Sequence, residues 1–542
     1  MSSSGPASSE SELLVIRDLT VTAGSSTLVS GVSFELGSGQ KRGLIGESGS
    51  GKTLTALAIM GLLPEGLEAT GSIRYEGREL LGLREKHLVG LRGNAMSMIF
   101  QEPMTALNPV MRIGRQIAEP LRIHRGLSTS EAHSVVVELL ERVGIDEPQR
   151  RLKSFPHELS GGQRQRVMIG MALACGPSIV VADEPTTALD VTVQAQVLDL
   201  LRDQVVANDA ALLLITHDLP VVSNMTDEVV VMREGSIVET GATAAVFSNP
   251  STAYARELVD SVPPMSRATD VAPKPATPLP TDAPIITLRN VEKLFALRRA
   301  SLFDKPQPLR AVQDVSFDVH RGETFGIVGE SGSGKSTIAK MMMGLEWATA
   351  GQIMIDGTEI HKEGDHSVLH HTVQMVFQDP NGSLDPRLRV GDVIAEPLRA
   401  LHIDGDHDAR VLELLDAVAM SADSIHRFPH EFSGGQRQRI AIARALAPGP
   451  KIIVADEPVS ALDMSVQMVT LELLDQLKRD LDLTMVFISH DLSVVHEICE
   501  RVIVLEHGEI VESGPVGSVF GSPQAAYTQM LVDAIPRLAV RN

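Results

Sequence analysis

The chain has 542 residues, 43% hydrophobic and 22% charged, so it is long enough for more than one globular domain and too apolar to be mainly disordered. Its 48 Lys and Arg against 69 Asp and Glu give a formal charge of −21, which argues against a nucleic-acid binder. No apolar run reaches the roughly 18–20 residues of a membrane span, and the N-terminal residues lack the pattern of a secretory signal. Two cysteines cannot make a disulfide framework. We therefore expect a cytosolic, multidomain protein.

Four short motifs occur twice in the chain. GESGSGKT begins at Gly46 and GESGSGKS begins at Gly329, while SGGQRQR, VADEP and HDL each recur further along. Repetition of the motifs in the same order predicts a duplicated domain. Between the copies, a stretch with seven prolines predicts an extended tether. The predicted organisation is a flexible tail over residues 1–10, a first domain over 11–260, a proline-rich linker over 261–284 and a second domain over 285–540.

Within each half, apolar runs alternate with helical patterns. Gly43–Ile45 and Phe325–Val328 lead into glycine loops followed by helical patterns, and Ile179–Ala182 and Ile452–Ala455 have the composition of buried strands. This alternation predicts an α/β fold in which each domain has a mostly parallel sheet surrounded by helices. A helical subdomain is expected in each half, from Gln101 to Ser160 and from Gln378 to Ser433.

Both glycine loops fit the phosphate-binding pattern G-x-x-x-x-G-K-[ST], between a strand and a helix. Glycines allow successive backbone N–H groups to face phosphates at a helix N-terminus, the lysine adds a positive charge, and the following hydroxyl can ligate Mg²⁺. The predicted nucleotide-binding residues are Gly46, Ser48, Gly49, Ser50, Gly51, Lys52 and Thr53 in the first half, and Gly329, Ser331, Gly332, Ser333, Gly334, Lys335 and Ser336 in the second.

An Asp-Glu pair follows an apolar run in each half. Asp183 and Asp456 are expected at the carboxyl edge of the sheet, where ligands bind in open α/β folds and where a carboxylate can hold Mg²⁺. The next residues, Glu184 and Glu457, are suited to orient the attacking water. An isolated Asp-Glu pair would fit a solvated turn, but the phosphate-binding loop upstream favours a nucleotide site.

These residues resemble the Walker A and Walker B motifs of ATP-binding cassette (ABC) proteins. LSGGQ at Leu159–Gln163 and FSGGQ at Phe432–Gln436 resemble the signature that separates this superfamily from other P-loop ATPases. Its Q-loop and switch-histidine positions are matched by Gln101, Gln378, His217 and His490. The resemblance covers nearly the whole chain outside the tail and linker, and it implies ATP hydrolysis with Mg²⁺ held by Thr53, Gln101 and Asp183 and by Ser336, Gln378 and Asp456.

The resemblance further implies that two cassettes pair head to tail and enclose two ATP molecules. Each site would combine the P-loop of one half with the signature of the other, and both would keep a glutamate and a histidine for hydrolysis. The first site would use Lys52, Thr53, Gln101, Asp183, Glu184 and His217 with Ser433, Gly435 and Gln436, and the second Lys335, Ser336, Gln378, Asp456, Glu457 and His490 with Ser160, Gly162 and Gln163.

Finer features resemble the ATPase subunits of dipeptide, oligopeptide and nickel importers. They include QEPMTALNP and QDPNGSLDP, each followed by IAEPLR, and tails with Asn249-Pro250…Tyr254 and Ser522-Pro523…Tyr527. This chain would be two such subunits fused, peripheral on the cytoplasmic membrane face, with two integral-membrane permease subunits, an extracytoplasmic substrate-binding protein and no nucleic acid as partner. The segment after each Q-loop would receive a short channel helix, in an apolar socket that includes Leu107.

One feature of the sequence departs from this family pattern. One subunit type of these importers often has a cysteine-bearing tail for an iron–sulfur cluster, but the corresponding region up to Pro284 has no cysteine, so no cluster is expected.

The alternative function is that of a soluble paired-cassette ATPase acting on ribosomes or DNA. The short proline-rich linker and the charge of −21 argue against it. The cargo stays open among dipeptides, oligopeptides, other peptides, nickel and sugars.

The two sites are expected to differ in how they hold adenine. Cassette ATPases commonly stack an early aromatic ring on the base; Phe295 is placed for this in the second half, whereas Thr22–Ser26 in the first contains no aromatic residue. We predict that Phe295→Ala weakens ATP binding at the Lys335 site by about five- to 150-fold, since base stacking is worth roughly 1–3 kcal/mol. Ala23→Phe should tighten the Lys52 site.

Nucleotide titrations of Lys52→Ala and Lys335→Ala variants, each with one site intact, test this asymmetry. The Lys52 site should bind ATP more weakly and discriminate less against GTP. Equal affinities would instead indicate that Phe295 is a core residue and that the first half stacks its base on another group.

Overall fold

The computed structural model describes residues 12–101, 106–186, 189–267, 283–296, 308–364, 366–460 and 462–539. The predicted tail and most of the predicted linker lie outside these ranges. The contacts divide the chain into two compact units. The first unit comprises residues up to Leu189, Val193–Val262 and the C-terminal residues from Pro536, and the second comprises Asp190–Thr192 and Pro263–Ile535.

The described part of the first unit contains two sheets. One is antiparallel, with the strand order β2-β1-β4-β5, and the other is mostly parallel, with the order β10-β9-β3-β8-β7-β6 and an antiparallel edge strand β10. Their strands are β1 (Glu12–Ala23), β2 (Ser26–Gly37), β3 (Lys41–Ile45), β4 (Leu67–Tyr75), β5 (Arg78–Glu79), β6 (Met96–Ile99), β7 (Ile179–Asp183), β8 (Ala211–Ile215), β9 (Glu228–Arg233) and β10 (Ser236–Ala242).

Helices cover the parallel sheet and form a separate layer between β6 and β7. They are α1 (Lys52–Met60), α2 (Glu85–Leu88), α3 (Ile113–Arg125), α4 (Thr129–Arg142), α5 (Pro148–Arg151), α6 (Gly161–Leu173), α7 (Val191–Ala207), α8 (Leu219–Met225), α9 (Thr243–Ser248) and α10 (Ala253–Asp260). A short 3₁₀ turn, Pro156–Glu158, precedes α6.

The second unit repeats this arrangement, with sheets β12-β11-β14-β15 and β16-β17-β18-β13-β19-β20 in its described part. The strands are β11 (Ile286–Ala296), β12 (Pro308–Val319), β13 (Thr324–Val328), β14 (Ala350–Ile355), β15 (Thr358–Glu359), β16 (Val373–Val376), β17 (Ile452–Asp456), β18 (Thr484–Ser489), β19 (Arg501–Glu506) and β20 (Glu509–Pro515). The helices are α11 (Pro264–Arg267), α12 (Lys335–Met342), α13 (Ser367–Thr372), α14 (Pro380–Ser383), α15 (Val390–Ala400), α16 (His407–Ala417), α17 (Gly434–Leu446), α18 (Met464–Asp480), α19 (Leu492–Ile498), α20 (Val516–Gly521) and α21 (Ala526–Asp533), with 3₁₀ turns at Ala422–His426 and Pro429–Glu431.

The central strands are buried on both faces, which explains their continuous apolar sequences. In β7, Val181 packs into the core between the two sheets, whereas its neighbours Val180 and Ala182 pack under α6 and α7. Such strands need helices on both sides, and the predicted α/β fold with a mostly parallel sheet and a helical subdomain is confirmed.

Four neighbouring strands end at the same edge of each parallel sheet. In the first unit β3 leads into the P-loop, and β8, β7 and β6 lead to His217, to Asp183 with Glu184, and to Gln101. Parallel pairing sets these carboxyl ends side by side. Residues that are far apart in sequence therefore meet at one place.

Two expectations need correction. Leu107 is not part of an exposed socket: it is only 1% exposed and packs with Ile113 and Ile117 in the core of the helical layer. Charging it would bury an unpaired carboxylate and unfold this layer. The predicted extended linker begins as a short helix, Pro264–Arg267, in which Met265 is buried.

Among the described helices, none has both the length and the apolar character required to cross a bilayer.

Candidate functional site

The P-loops have the same conformation in the two units. The Lys52 ammonium donates hydrogen bonds to the carbonyl oxygens of Gly46 and Glu47 at 2.7 and 2.8 Å. The Lys335 ammonium donates to Gly329 and Glu330 at 2.6 and 2.9 Å. Both lysines are buried, and burial lowers the pKa of Lys335, because a charged amine loses hydration there. Each cation is therefore held on carbonyl oxygens of its own loop.

The first glycine of each loop is required by a close approach between two backbones. Gly329 has φ 149°, and a Cβ atom there would overlap the carbonyl oxygen of Leu505 on β19. Gly46 has the same φ and would meet the Met232 carbonyl on β9. The loop is thus pressed against the neighbouring strand, which only a residue without a side chain allows.

A hydroxyl and a carboxylate face each other behind each P-loop. Thr53 Oγ1 lies 3.3 Å from Asp183 Oδ1, and Ser336 Oγ lies 3.4 Å from Asp456 Oδ1. Burial raises the pKa of Asp183 to about 6 and shifts the pKa of Asp456 in the same direction. A buried carboxylate that favours a nearby positive charge, next to an exposed hydroxyl, fits a hard divalent cation.

The glutamate after each of these aspartates has a left-handed backbone. Glu184 and Glu457 have φ of 47° and 48°, and their N–H groups donate to Ile215 and Ile488 at 2.8 Å. This conformation is uncommon for residues other than glycine and clusters at functional sites. No local sequence pattern predicts this backbone conformation, since Glu has no preference for this region. In the second unit, Gln378 Nε2 donates to Glu457 Oε2 at 2.6 Å.

A histidine completes each cluster. His217 Nδ1 lies 3.0 Å from Glu184 Oε1, and His490 Nδ1 lies 3.0 Å from Glu457 Oε1. Burial acts to raise the pKa of Glu457, but the hydrogen bond and charge of His490 outweigh it and hold the pKa below its usual value. Burial acts to lower the pKa of His490, but Glu457 outweighs it and raises that pKa. The pair therefore stabilises an ionised carboxylate facing the P-loop.

In the first unit the same set is present. Gln101 Nε2 donates to Glu184 Oε2 at 2.7 Å. The structure thus brings together, in each unit by itself, the P-loop, the aspartate, the glutamate, the glutamine and the histidine that the sequence singled out.

The comparisons with known proteins identify this arrangement. The ABC transporter family matches residues 29–187 and 312–460, and the C-terminal region of oligopeptide/dipeptide transporters matches residues 238–298 and 511–542. The chain belongs to the ABC transporter family. It is an ATPase of that family, in which the duplicated units are two nucleotide-binding cassettes.

Two relatives span nearly the whole chain. It is 45% identical over 534 residues to the peptidoglycan transport ATP-binding protein YejF of Agrobacterium fabrum (strain C58), with 96% of each chain covered. It is 44% identical over 537 residues to the glutathione import ATP-binding protein GsiA of Escherichia coli (strain K12), covering 94% of this chain and 86% of that one. Both matches therefore extend over the two units of this chain.

The ABC signature begins a long helix in each cassette. Ser160 Oγ accepts a hydrogen bond from Gln163 N at 3.3 Å, and the Gln163 side chain accepts one from Ser160 N at 3.2 Å. Ser433 and Gln436 form the same capping box on α17. These glutamine oxygens therefore bond within their own loops, while Ser160 and Ser433 are exposed to solvent.

The second signature glycine has a packing role that the sequence did not reveal. A Cβ atom at Gly162 would overlap the Val193 side chain on α7, and one at Gly435 would overlap Val466 on α18. The predicted contribution of these glycines to nucleotide binding stays a prediction, but close packing between two helices of one cassette already requires them.

Phe295 lies on β11 opposite Leu309 and is half-buried, so it is not a core residue. The Lys293 ammonium lies 4.9 Å from the centre of its ring. Two equivalent hydrogen bonds of 2.8 Å allow the two cassettes to be aligned. Asp18 N donates to Ser33 Oγ in the first cassette, and Asn290 N donates to Ser316 Oγ in the second. Counting along β1 and β11 from these bonds places Ala23 where the second cassette has Phe295.

The structure also brings two residues to the P-loops that sequence reasoning used only as family features. The tail residues Tyr254 and Tyr527 contact the second residue of each loop. Their recurrence at matching places in the two tails was the available signal.

We predict that Gly329→Ala abolishes tight ATP binding at the Lys335 site, because the added methyl group overlaps the Leu505 carbonyl and displaces the loop. In a Lys52→Ala background, titration with ATP should show at least a tenfold loss of affinity. Gly322→Ala is the matched control: Gly322 also has a positive φ, of 70°, but its Cβ would meet nothing within 4 Å. If both variants bind ATP like the parent, the close approach does not shape the loop.

Proposed function

We propose that the chain is the ATP-hydrolysing subunit of an ABC importer for peptide-like substrates, with both cassettes in one polypeptide. The observation that supports this most is the complete Lys, Asp, Glu, Gln and His set in each unit, together with a C-terminal region of oligopeptide/dipeptide transporters behind each cassette. The relatives are named for peptidoglycan transport and glutathione import, and both of these molecules contain peptides. The chain would lie on the cytoplasmic face of the membrane.

Mg²⁺ would be held by the hydroxyl and carboxylate that face each other in each site. Thr53 and Asp183 would serve the first site, Ser336 and Asp456 the second, with Gln101 and Gln378 as further ligands. The cation would neutralise charge on the β- and γ-phosphates. Each lysine would leave its carbonyl oxygens for the phosphates, since an ammonium gains more from an anion than from neutral acceptors.

The glutamate would orient the water that attacks the γ-phosphate. Its ionised state is maintained by the histidine, and the glutamine bonded to its second oxygen fixes the direction of the carboxylate. Glu457, His490 and Gln378 would thus act as one unit in the second site. The first site would use Glu184, His217 and Gln101 in the same way.

The two cassettes would pair head to tail, so that each nucleotide contacts the signature of the opposite cassette. In support, Ser160 and Ser433 are exposed at the N-termini of 13-residue helices, where N–H groups favour an anion. Ser160, Gly162 and Gln163 would complete the second site, and Ser433, Gly435 and Gln436 the first.

We predict that Glu457→Gln leaves ATP binding intact and slows turnover at the Lys335 site by about 10²–10⁴-fold, because it removes the group that orients water but keeps the proposed Mg²⁺ ligands. ATP binding and hydrolysis are measured in the chain assembled with its permeases and binding protein. Glu472→Gln, an exposed carboxylate on α18, is the control and should behave as the parent does. Hydrolysis at the parental rate in Glu457→Gln would mean that another residue is catalytic.

The same assembly tests the proposed transport function. Uptake of labelled di- and oligopeptides should require ATP and should be lost in Glu457→Gln. Sedimentation of the chain with ribosomes, or retention on DNA, without ATP-dependent peptide uptake would support the alternative of a soluble paired-cassette ATPase.

The permease would dock on a cavity of about 750 Å³ in the second unit, beside Gln378. Its lining includes the exposed apolar side chains of Leu345 and Phe377 together with Glu396 and Arg444. An apolar floor with charged edges suits a short helix of a membrane protein. Because Gln378 lines this cavity, a helix docked there would be linked to the nucleotide site. The cavity takes the place of the socket that was expected around Leu107.

We predict that Leu345→Asp abolishes transport while the isolated chain still binds ATP. Leu345 is 56% exposed, so the charge costs the fold little, but it would be buried without a partner in the docked complex. Leu481→Asp is the matched control, since Leu481 is 43% exposed and lies outside the cavity. Normal peptide uptake by Leu345→Asp would remove this surface from the permease contact.

A further inference from the structure

The chain contains three tyrosines, and two of them reach a P-loop. Tyr254 lies in the first turn of α10 and Tyr527 in the first turn of α21. The N–H of Glu47 donates to the Tyr254 hydroxyl at 3.1 Å, and the N–H of Glu330 donates to the Tyr527 hydroxyl at 3.0 Å. Each contact lies within one unit. The two cassettes therefore repeat it independently.

The peptide group that receives this contact also supports the P-loop lysine. In the second unit, the carbonyl of Gly329 and the N–H of Glu330 are the two ends of one planar peptide. Lys335 donates to that carbonyl at 2.6 Å, and Tyr527 accepts from that N–H. A peptide bonded at both ends is fixed in orientation, and its two hydrogen bonds polarise each other. Gly46 and Glu47 form the equivalent peptide in the first unit, bonded to Lys52 and Tyr254.

The tyrosines are placed by a carboxylate at the edge of the sheet. Glu239 on β10 accepts hydrogen bonds from Ser251 N, Thr252 N and Thr252 Oγ1 at 2.8, 2.9 and 2.7 Å, just before α10 begins. Burial acts to raise the pKa of Glu239, but these bonds lower it to about 2. In the second unit Glu512 accepts from the N–H groups of Gln524 and Ala525, each at 3.0 Å. The start of each tail helix is thus tied to the edge strand of the sheet that carries the P-loop.

Burial sets the protonation state of the Tyr527 phenol. Burial raises the pKa of Tyr527 to about 12, against the opposing effect of the Glu330 N–H, so this phenol stays neutral at physiological pH. The Tyr254 ring is buried, and the Arg233 guanidinium lies 4.7 Å from its centre. A neutral phenol oxygen accepts a hydrogen bond, so the Tyr527 contact needs no change of protonation.

We propose that Tyr254 and Tyr527 are positioning residues of the two ATP sites. Each phenol fixes the first peptide of the P-loop, and so makes the C-terminal region of each cassette a structural part of its nucleotide site. The phenols bond to the backbone of the P-loop. The contacts of Glu184 and Glu457 with their glutamine and histidine do not involve the phenols. Their removal should therefore weaken ATP binding and leave the rate of the bound complex nearly unchanged.

The test removes one hydroxyl at a time. Tyr254→Phe and Tyr527→Phe keep the ring and its packing, and a net hydrogen bond is worth about three- to tenfold in an equilibrium constant. We expect the dissociation constant and KM for ATP to rise by that factor in each affected site, with kcat within twofold of the parent. In a Lys52→Ala background, which leaves only the Lys335 site intact, Tyr527→Phe should weaken ATP binding. In the same background Tyr254→Phe should leave ATP binding unchanged.

Tyr75→Phe is the matched control. Tyr75 is also buried, and its hydroxyl lies 2.8 Å from Ser178 Oγ, but that bond links β4 to the loop before β7 and makes no P-loop contact. It should lower thermal stability about as much as the other two and leave ATP affinity unchanged. If all three variants lower the melting temperature and none changes ATP affinity, the tail tyrosines only stabilise the fold and the proposal is wrong. An equal loss of affinity in Tyr75→Phe would overturn it as well.

Discussion

The parallel pairing of four central strands is the constraint on which the rest of each cassette depends. Because β13, β18, β17 and β16 run in the same direction as neighbours, their carboxyl ends place a P-loop, a histidine, an Asp-Glu pair and a glutamine along one edge. This edge is also where several charges are partly desolvated. Lys335, Asp456 and Glu457 can share it because each has compensating contacts from neighbouring elements.

The two cassettes keep this edge nearly identical and differ around it. The contacts of the lysine, the aspartate, the glutamate and the histidine agree between the units to within about 0.1 Å. The surroundings differ: Ala23 stands in place of Phe295, and Arg233 lies at the Tyr254 ring where the second unit has Glu506 near Tyr527. The same central residues with different surroundings would allow the two proposed nucleotide sites to differ in affinity.

The C-terminal region of each cassette belongs physically to its nucleotide site. A sheet-edge carboxylate, Glu239 or Glu512, fixes the start of a helix, and the helix brings its tyrosine to the P-loop. In this chain, each region of the oligopeptide/dipeptide transporter C-terminal type follows an ABC match in sequence. A contact between them offers a direct route by which a change in the tail alters ATP binding.

The sequence by itself determined the duplication, the fold class and the residue types of both sites, because P-loops, buried strands and Asp-Glu pairs have local signatures. It could not determine properties that depend on packing between distant segments. Leu107 follows a Q-loop but lies in a helical core, Gly162 is required by Val193, and Glu457 has a left-handed backbone that its residue type does not favour. The approach of Tyr527 to Glu330 joins residues 197 positions apart. Only the folded chain decides such contacts, since side-chain direction and burial follow from the neighbours that the sheet brings together.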